Sequence, residues 1–298
     1  MASREILVEQ PLVVIVGPTA SGKTALAVRL AKSYGGEVIS ADSRAIYRGL
    51  SIGTAKPGEE EREGIPHWGI DIVDPNERFT AADFQRYALR KISEIRARGK
   101  VPILTGGTGL YIDSVVYDFS FLPINEDVAG RGDMMYKSIQ ELHAYCTENN
   151  ITLPENKLNK RYVVSAILRN GAHPKRKNEL DGNTIFVGIT TENEKLRARI
   201  EARAETIFTD GVVTEAQNIA QVYGWESEAM TGNVYPLIRE YLTGKLTEFE
   251  MKQQFATKDW RLAKRQLTWL KRNKDIYWGD PELLYTYVAR RLDEVNNL

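Results

Sequence analysis

Cysteine, net charge and long apolar runs are the features that this 298-residue sequence has least of. Its single cysteine, Cys146, excludes an internal disulfide and a cysteine-based zinc site or finger. No apolar run approaches the roughly 20 residues that a membrane-spanning helix needs. The first residues also lack the apolar stretch of a secretory signal. We therefore expect a cytoplasmic protein without membrane association.

Basic and acidic side chains are balanced, with 40 of each. A generic nucleic-acid-binding protein usually carries a basic excess, so the total charge argues against that class. It does not exclude a local basic face. The apolar fraction of 42% is ordinary for globular proteins and supplies a sizeable core.

Short apolar runs alternate with amphipathic stretches along much of the chain. The runs are β-branched and too short for helices, which is typical of buried strands. The expected strands are 12–16, 37–40, 101–104 and 184–189, and the expected helices are 24–34, 80–99, 194–208, 212–223 and 247–273. This alternation predicts an α/β fold, with a parallel sheet flanked by helices.

The alternation is interrupted between Ser120 and Gly182, where the sequence is polar and helical in character. Pro123, Pro154 and Pro174 punctuate this stretch. We interpret residues 120–182 as a smaller, mostly helical inserted subdomain. Residues 8–119 and 183–298 would then form the catalytic α/β core with its C-terminal helices.

The segment Gly17–Thr24 fits the phosphate-binding pattern G-x-x-x-x-G-K-[ST] between an expected strand and an expected helix. In such a P-loop, backbone N–H groups and the positive end of the helix dipole bind a polyphosphate. These flanks disfavour a chance glycine-rich turn and predict a P-loop NTPase-like sheet. The expected phosphate-binding residues are Gly17, Ala20, Ser21, Gly22, Lys23 and Thr24, with the Thr24 hydroxyl also holding Mg²⁺. A P-loop identifies a ligand class and not a reaction.

Asp42 follows the second expected strand. The carboxyl ends of strands in a doubly wound sheet meet at one crevice, so Asp42 should lie near the P-loop. Its carboxylate either holds Mg²⁺ or acts as a base, or it caps a turn with Ser43. The sequence alone leaves these interpretations open.

A longer set of motifs resembles one enzyme family. The motifs are Gly17–Thr24, Asp42–Pro57, His67–Asp71 with Asp74-Pro75, Phe79–Phe84, Pro102–Tyr111 and Lys264–Leu270. In this order they resemble the tRNA dimethylallyltransferases, also called isopentenyltransferases. The match is dense in the N-terminal part of the chain and thinner in the last third. The Gly53–Pro57 and Gly106–Tyr111 blocks are distinctive of that family.

The resemblance implies transfer of a dimethylallyl group from dimethylallyl diphosphate to N6 of the adenosine next to the tRNA anticodon, with release of diphosphate. It implies Asp42 as general base, Thr19 beside the reacting centre and Mg²⁺ as cofactor. The family pattern Arg-Ile-Glu-x-Arg points to Arg203 as a further charge near the phosphates. Read without the family, Arg199 and Arg203 are i, i+4 neighbours, for which a solvated helix face is the commoner explanation. The resemblance also suggests a monomer.

The resemblance further implies tRNA contacts around the target base and on the last long helix. The expected tRNA-binding residues are Ser43, Arg44, Tyr47, Thr108, Lys264, Arg265 and Gln266. Basic residues also cluster in the insert, at Lys157, Lys160, Arg161, Arg169, Lys175, Arg176 and Lys177. Phosphate contacts from such clusters would give salt-sensitive affinity. For Trp260 and Trp269, which lie among the basic residues of the last long helix, core packing is the favoured interpretation.

The clustered glycines of the 106–109 loop have two interpretations. They either permit a tight turn or let a substrate approach the backbone closely. The family match favours the second.

The sequence departs from the family at several positions. Alanine stands at position 45, where members often have glutamine, and His67-Trp68 replaces the usual double histidine. Ser165–Leu168 replaces a charged Arg-Ala-Leu-Glu block. These changes affect the expected docking of tRNA more than the chemistry.

Three alternative functions are compatible with parts of this pattern: a prenyltransferase for free adenine nucleotides, a small-molecule kinase and a tRNA-binding protein with a degenerate P-loop. The insert and the Lys264–Gln266 block argue against the first, because a small substrate needs neither. The intact Lys23, Thr24 and Asp42 argue against the last.

Overall fold

The structure, a computed structural model, describes residues 9–121, 131–154, 156–172 and 177–297. Its elements are, in chain order, β1 (Leu12–Val16), α1 (Lys23–Tyr34), β2 (Glu37–Ala41), α2 (Glu59–Arg62), β3 (His67–Trp68), α3 (Ala81–Ala97), β4 (Pro102–Gly106), α4 (Gly109–Val116), α5 (Arg131–Tyr136), α6 (Ile139–Glu148), α7 (Lys160–Ile167), β5 (Thr184–Ile189), α8 (Asn193–Thr209), α9 (Val212–Tyr223), a 3₁₀ turn (Glu228–Thr231), α10 (Tyr235–Leu242), α11 (Glu248–Leu270), β6 (Tyr277–Gly279) and α12 (Pro281–Asn296).

Within the described residues, six parallel strands form one sheet in the order β3-β2-β4-β1-β5-β6. The central strand, β1, is buried along its whole length, and its Val14 lies between Leu104 of β4 and Phe186 of β5. The expected α/β fold with a P-loop NTPase-like sheet is confirmed. The edge strands β3 and β6 were not expected, because two or three residues are too few to show a periodic pattern.

The sheet is covered by helices whose apolar faces match its own. Leu26 and Leu30 of α1 and Leu284 of α12 pack on alternate residues of β1 and β4, such as Ile15 and Ile103. Helices α9, α10 and α11 form a second buried cluster. Because this cluster also includes residues of the segment after β2, that segment packs on helices rather than on the sheet.

The chain divides into two compact units. The larger unit comprises Met1–Val116 and Leu180–Leu298, and the smaller unit comprises Tyr117–Glu179. The smaller unit contains α5, α6 and α7 around its own buried cluster, which includes Leu142, Cys146 and Val163. The sequence placed the subdomain at 120–182. Its punctuating Pro123 and Pro174 lie outside the described residues, as do Lys175 and Arg176 of the expected basic cluster.

None of the helices in the described parts of the chain is both long enough and apolar enough to cross a lipid bilayer.

Candidate active site

The carboxyl ends of β1, β2 and β4 open into a cavity of about 1270 Å³. The cavity lies entirely within the larger unit. The sequence-predicted residues that line it are Thr19, Ala20, Ser21, Gly22, Lys23, Thr24, Asp42, Ser43, Arg44, Thr108, Arg203, Arg265 and Gln266. The fold therefore brings the P-loop segment, the aspartate after β2 and the arginine of α8 to one place.

The P-loop segment turns sharply between β1 and α1. Ala20 and Gly22 have φ angles of 60° and 91°, a left-handed conformation that is unfavourable for alanine. The first residues of α1 line the cavity, and the first amides of a helix have no partner within it and can bind an anion. Gly17 is in close contact with the loop, because a Cβ there would lie 2.7 Å from Ser21 Oγ. Ser21 Oγ is buried and has no hydrogen-bond partner among the described residues, so the loop presents an unsatisfied donor where a phosphate would bind.

Lys23 is the first residue of α1. Its Nζ donates to the carbonyl oxygen of Pro18 over 2.6 Å. Burial lowers the pKa of Lys23 to about 8, opposed by the charge of Asp42 and reinforced by that of Arg203. An anionic ligand would restore the charged form of this side chain.

Asp42 lies directly after β2 and lines the cavity. Its Oδ1 accepts a hydrogen bond from the backbone N–H of Arg44 over 2.8 Å. The turn-capping interpretation of Asp42 thus holds for one of its two carboxylate oxygens, Oδ1. The residue is at the same time exposed to the cavity that contains Lys23.

Arg203 and Gln266 hold Thr19 from two helices. Arg203 Nη1, on α8, donates to Thr19 Oγ1, and the Thr19 N–H donates to Gln266 Oε1, on α11, over 2.8 Å. Arg203 Nε is buried without a partner among the described residues. Arg203 therefore belongs to the cavity wall and not to a solvated helix face.

The glycines after β4 make room for protein groups. A Cβ on Gly106 would lie 2.2 Å from the Ala41 carbonyl oxygen, one on Gly107 2.3 Å from Gln266 Nε2, and one on Gly109 2.1 Å from Trp269 Cδ1. None of the three has a positive φ. Close packing against β2 and α11 therefore accounts for these glycines without a tight turn. Gly106 and Gly107 also line the cavity, so the approach of a substrate to their backbone stays a prediction.

The residues expected around the target base differ in exposure. The Ser43 N–H donates to Thr108 Oγ1 over 3.1 Å, and Arg44 Nη1 donates to Thr231 Oγ1 over 2.9 Å. Tyr47 is only 3% exposed, and burial raises the pKa of its hydroxyl. A contact between Tyr47 and a base thus stays a prediction that the free structure does not favour.

On α11, Lys264 and Arg265 are exposed, and Lys264 Nζ lies 5.1 Å from the centre of the Trp260 ring. Trp260 packs against the cluster formed by Leu196, Ile200 and Ala263. Trp269 Nε1 donates to Asp113 Oδ2 over 2.7 Å. Both tryptophans pack within the fold.

Two polar residues of the cavity were missed from the sequence. Asp259 is 4% exposed, and its Oδ1 accepts from Asn233 Nδ2 over 2.9 Å. Burial raises the pKa of the Asp259 carboxyl, while Arg203 and the Asn233 bond oppose this shift. Asp259 precedes Gln266 by seven residues, so helical periodicity on α11 was a usable signal for it. Asn233 precedes α10 and gave no such signal.

The IPP transferase family model matches residues 45–273 of the chain. The tRNA dimethylallyltransferase of Bacillus velezensis is 38% identical over 91% of each chain. The tRNA dimethylallyltransferase of Bacillus subtilis is 36% identical over 96% of this chain and 98% of its own. The solved tRNA isopentenylpyrophosphate transferase of Bacillus halodurans is 34% identical, with a TM-score of 0.75 over 97% of this chain and 98% of its own. These similarities confirm the resemblance inferred from the motifs, and the chain belongs to the IPP transferase family.

Proposed function

We propose that the protein transfers the dimethylallyl group of dimethylallyl diphosphate to N6 of the adenosine next to the anticodon of tRNA. The observation that carries the proposal is the meeting of the P-loop, Asp42 and the Arg203–Thr19 pair in one cavity. Cationic groups suited to a diphosphate and a carboxylate suited to accept a proton thus line the same cavity. Family membership supports the same reaction.

The donor half of the site, formed by the P-loop with Lys23 and by Arg203 with Thr19, would stabilise the leaving diphosphate. As the bond between the allylic carbon and oxygen breaks, its electron pair goes to the diphosphate, whose negative charge grows. Lys23 lines the cavity at the start of α1, where helix amides lack partners within the helix, and Arg203 donates to Thr19 in the same cavity. Fixed positive charge in a partly desolvated pocket stabilises that growing charge better than water does.

The acceptor half of the site, which contains Asp42 and Ser43, would supply the general base. The N6 lone pair of adenine is delocalised into the ring, so the amine gains nucleophilicity only as its proton leaves. Asp42 would accept that proton while the new C–N bond forms. Its Oδ1 bond to the Arg44 amide fixes the carboxylate orientation, which keeps Oδ2 available for the substrate.

The residues present also fit Mg²⁺. The ion prefers oxygen ligands and is usually held by few protein groups together with substrate phosphates. Thr24 lines the cavity beside Lys23, and the nearby Thr105 Oγ1 is buried without a partner in the described structure. We propose that Thr24 holds the ion, which supplies charge neutralisation to the diphosphate when bound.

For tRNA, we propose contacts from Ser43, Arg44, Thr108, Lys264 and Arg265, which line the cavity or are exposed near its α11 wall. The basic residues of the smaller unit would add phosphate contacts. We further propose that the protein acts in the cytoplasm, because tRNA is a cytoplasmic substrate, and as a monomer, as the family resemblance suggests.

The direct test incubates the protein with dimethylallyl diphosphate, Mg²⁺ and an unmodified anticodon stem-loop. Mass spectrometry of the digested RNA should show adenosine carrying an added C₅H₈ group. Parallel reactions replace the stem-loop by AMP, or the donor by ATP with a hydroxyl acceptor. Prenylation of AMP alone would assign the protein to the free-nucleotide enzymes, and ADP formation would assign it to the kinases.

A further inference from the structure

One wall of the cavity is a stretch of turns without helix or strand, Ser51–Pro57. It is continuous with the Asp42–Tyr47 segment, which carries the proposed base. Irregular backbone lacks the regular hydrogen bonds of a helix or a sheet, so its position depends on bonds to other elements.

Glu215 of α9 supplies those bonds. Its Oε2 accepts from the backbone N–H groups of Ser51 and Ile52 over 2.6 and 2.7 Å. Its Oε1 accepts from the Gly53 N–H and from the Tyr235 hydroxyl, both over 2.9 Å. Three successive amides that converge on one carboxylate form an anion-binding nest, and bonds to an ionised acceptor are roughly twice as strong as neutral ones.

The contact around this nest is close. A Cβ on Gly53 would lie 2.5 Å from the Tyr235 hydroxyl oxygen, so only glycine lets the wall reach α10. Farther along the segment, Lys56 Nζ donates to Asp71 Oδ1 over 2.6 Å and also to the Tyr47 carbonyl oxygen. The segment after β2 is therefore held by Glu215, by its own Lys56, and by backbone bonds to residues 71–73.

The two halves of the site have separate attachments. The P-loop is fixed by β1, α1 and the Thr19–Gln266 bond. The Asp42–Gly53 segment is fixed by the Ser43–Thr108 and Arg44–Thr231 bonds, by backbone bonds of residues 45–48 to residues 71–73, and at its far end by Glu215. A change at Glu215 should thus move the acceptor half while leaving the donor half in place.

We propose that Glu215 is a positioning residue, whose carboxylate fixes the wall at Ser51–Gly53 and through it the placement of Asp42 and Ser43 relative to the P-loop. This role rests on the proposed prenyl transfer. Misplacement of reacting groups by about 1 Å can cost on the order of a hundredfold in rate. The cost should appear in turnover of the stem-loop and not in binding of diphosphate.

The test compares Glu215→Gln, Tyr235→Phe and the control Glu226→Gln. The amide of glutamine is isosteric with the carboxylate, but it turns an N–H₂ group toward backbone donors. Tyr235→Phe keeps the ring beside Gly53 and removes one bond. Glu226 is an 84% exposed carboxylate just after α9, paired with Arg239.

Three measurements are needed: hydrogen exchange of the amides of residues 51–53, affinity for Mg²⁺-diphosphate, and kcat/KM for the stem-loop. For Glu215→Gln we expect faster exchange, diphosphate affinity within about twofold of the wild type, and kcat/KM lower by about tenfold or more. Tyr235→Phe should show the same pattern to a smaller degree, and Glu226→Gln should resemble the wild type.

If Glu215→Gln and Tyr235→Phe fold and keep wild-type exchange and turnover, the proposal is overturned. It is also overturned if diphosphate affinity and turnover fall in parallel, since that result indicates a general loss of structure. Should Glu215→Gln fail to fold, Tyr235→Phe alone decides by the same criteria. A wild-type protein that transfers no prenyl group would instead refute the proposed function, whatever the exchange data show.

Discussion

At the scale of single residues, the side chains expected to contact the substrate also form hydrogen bonds to other groups of the protein. Asp42 uses Oδ1 to accept the Arg44 amide. Lys23 donates to Pro18 while lining the same cavity. These bonds hold both side chains in place before a ligand arrives, which reduces the reorganisation required during the reaction.

We expect Asp42→Asn to lower kcat by about 10²- to 10⁴-fold, the usual contribution of a general base. Asparagine keeps an oxygen for the Arg44 amide, so the turn should persist. Affinity for dimethylallyl diphosphate, measured without RNA, serves as the control and should stay near the wild-type value. Full activity of this variant would show that Asp42 is not the base.

Lys23 predicts opposite pH dependences for stability and for donor binding. Its pKa is lowered from 10.5 to about 8 in the folded protein. Between these values the unfolded chain holds a proton that the folded protein has lost, so stability should rise with pH across this window. Donor binding requires charged Lys23, so affinity should fall, by up to about tenfold per pH unit above pH 8.

Calorimetric titration with a non-reactive donor analogue and thermal unfolding without ligand would measure the two slopes. Lys23→Ala should bind the analogue weakly and lose the slope of affinity with pH. An affinity that is constant up to pH 10 in the wild type would contradict a lowered pKa for Lys23.

At the scale of elements, α11 connects several parts of the site. Along its length, Asp259 faces the cavity, Gln266 holds the P-loop amide of Thr19, and Trp269 packs on Gly109. The resemblance assigned Gln266 to tRNA binding, whereas its bond to the Thr19 amide favours a role in the proposed donor half of the site. The two assignments predict different defects when the Gln266 side chain is removed: weaker binding of tRNA in one case and weaker binding of the donor in the other.

For Gln266→Ala we expect donor affinity without RNA to fall about fivefold, as for the loss of one hydrogen bond of about 1 kcal/mol. The matched variants Lys264→Ala and Arg265→Ala, on the same helix and exposed, should keep donor affinity and bind the stem-loop less tightly. Wild-type donor affinity in Gln266→Ala, with only stem-loop binding reduced, would restore the tRNA assignment.

Gly109→Ala tests the contact between α4 and α11. The added methyl group would lie 2.1 Å from Trp269 Cδ1, and overpacking of this kind costs about 2 kcal/mol. In thermal unfolding we expect a decrease in Tm of about 4–8 °C. Gly182→Ala is the control, because no atom lies within 4 Å of a Cβ there. Equal Tm values for the two variants would show that α11 adapts to the methyl group.

Elements with a regular sequence pattern were predictable. Very short strands, and contacts between residues that are distant in the sequence, were not. The four expected strands and the helix expected after Thr80 are present. Glu215 was missed because its partners are backbone amides 162 to 164 residues away. No local pattern marks such a residue. Tyr47 belongs to the Asp42–Pro57 motif, but the motif does not show that its ring is buried.

At the scale of the whole molecule, zero net charge conceals local concentrations of basic residues. In the smaller unit, Lys157 and Arg161 are exposed around the start of α7. In the larger unit, Lys264 and Arg265 are exposed on α11 beside the cavity. A neutral protein attracts RNA weakly at long range, so binding should depend on these few side chains and on the ionic strength at which they act.

The double variant Lys157→Ala/Arg161→Ala tests whether the smaller unit contacts RNA. Removing one basic side chain that binds a phosphate should reduce the slope of log affinity against log salt concentration by about 1, so we expect a decrease of about 2. Stem-loop affinity is measured by fluorescence anisotropy over a series of potassium chloride concentrations.

The control, Arg290→Ala/Arg291→Ala, removes two basic residues of α12 that lie 3.7 and 3.6 Å from Glu294, and it should keep the wild-type slope. Because the proposed donor site is lined by residues of the larger unit, both variants should bind dimethylallyl diphosphate normally. An unchanged slope in the first variant would confine tRNA recognition to other residues, whereas a weaker donor affinity in it would indicate that the substitutions disturb the fold.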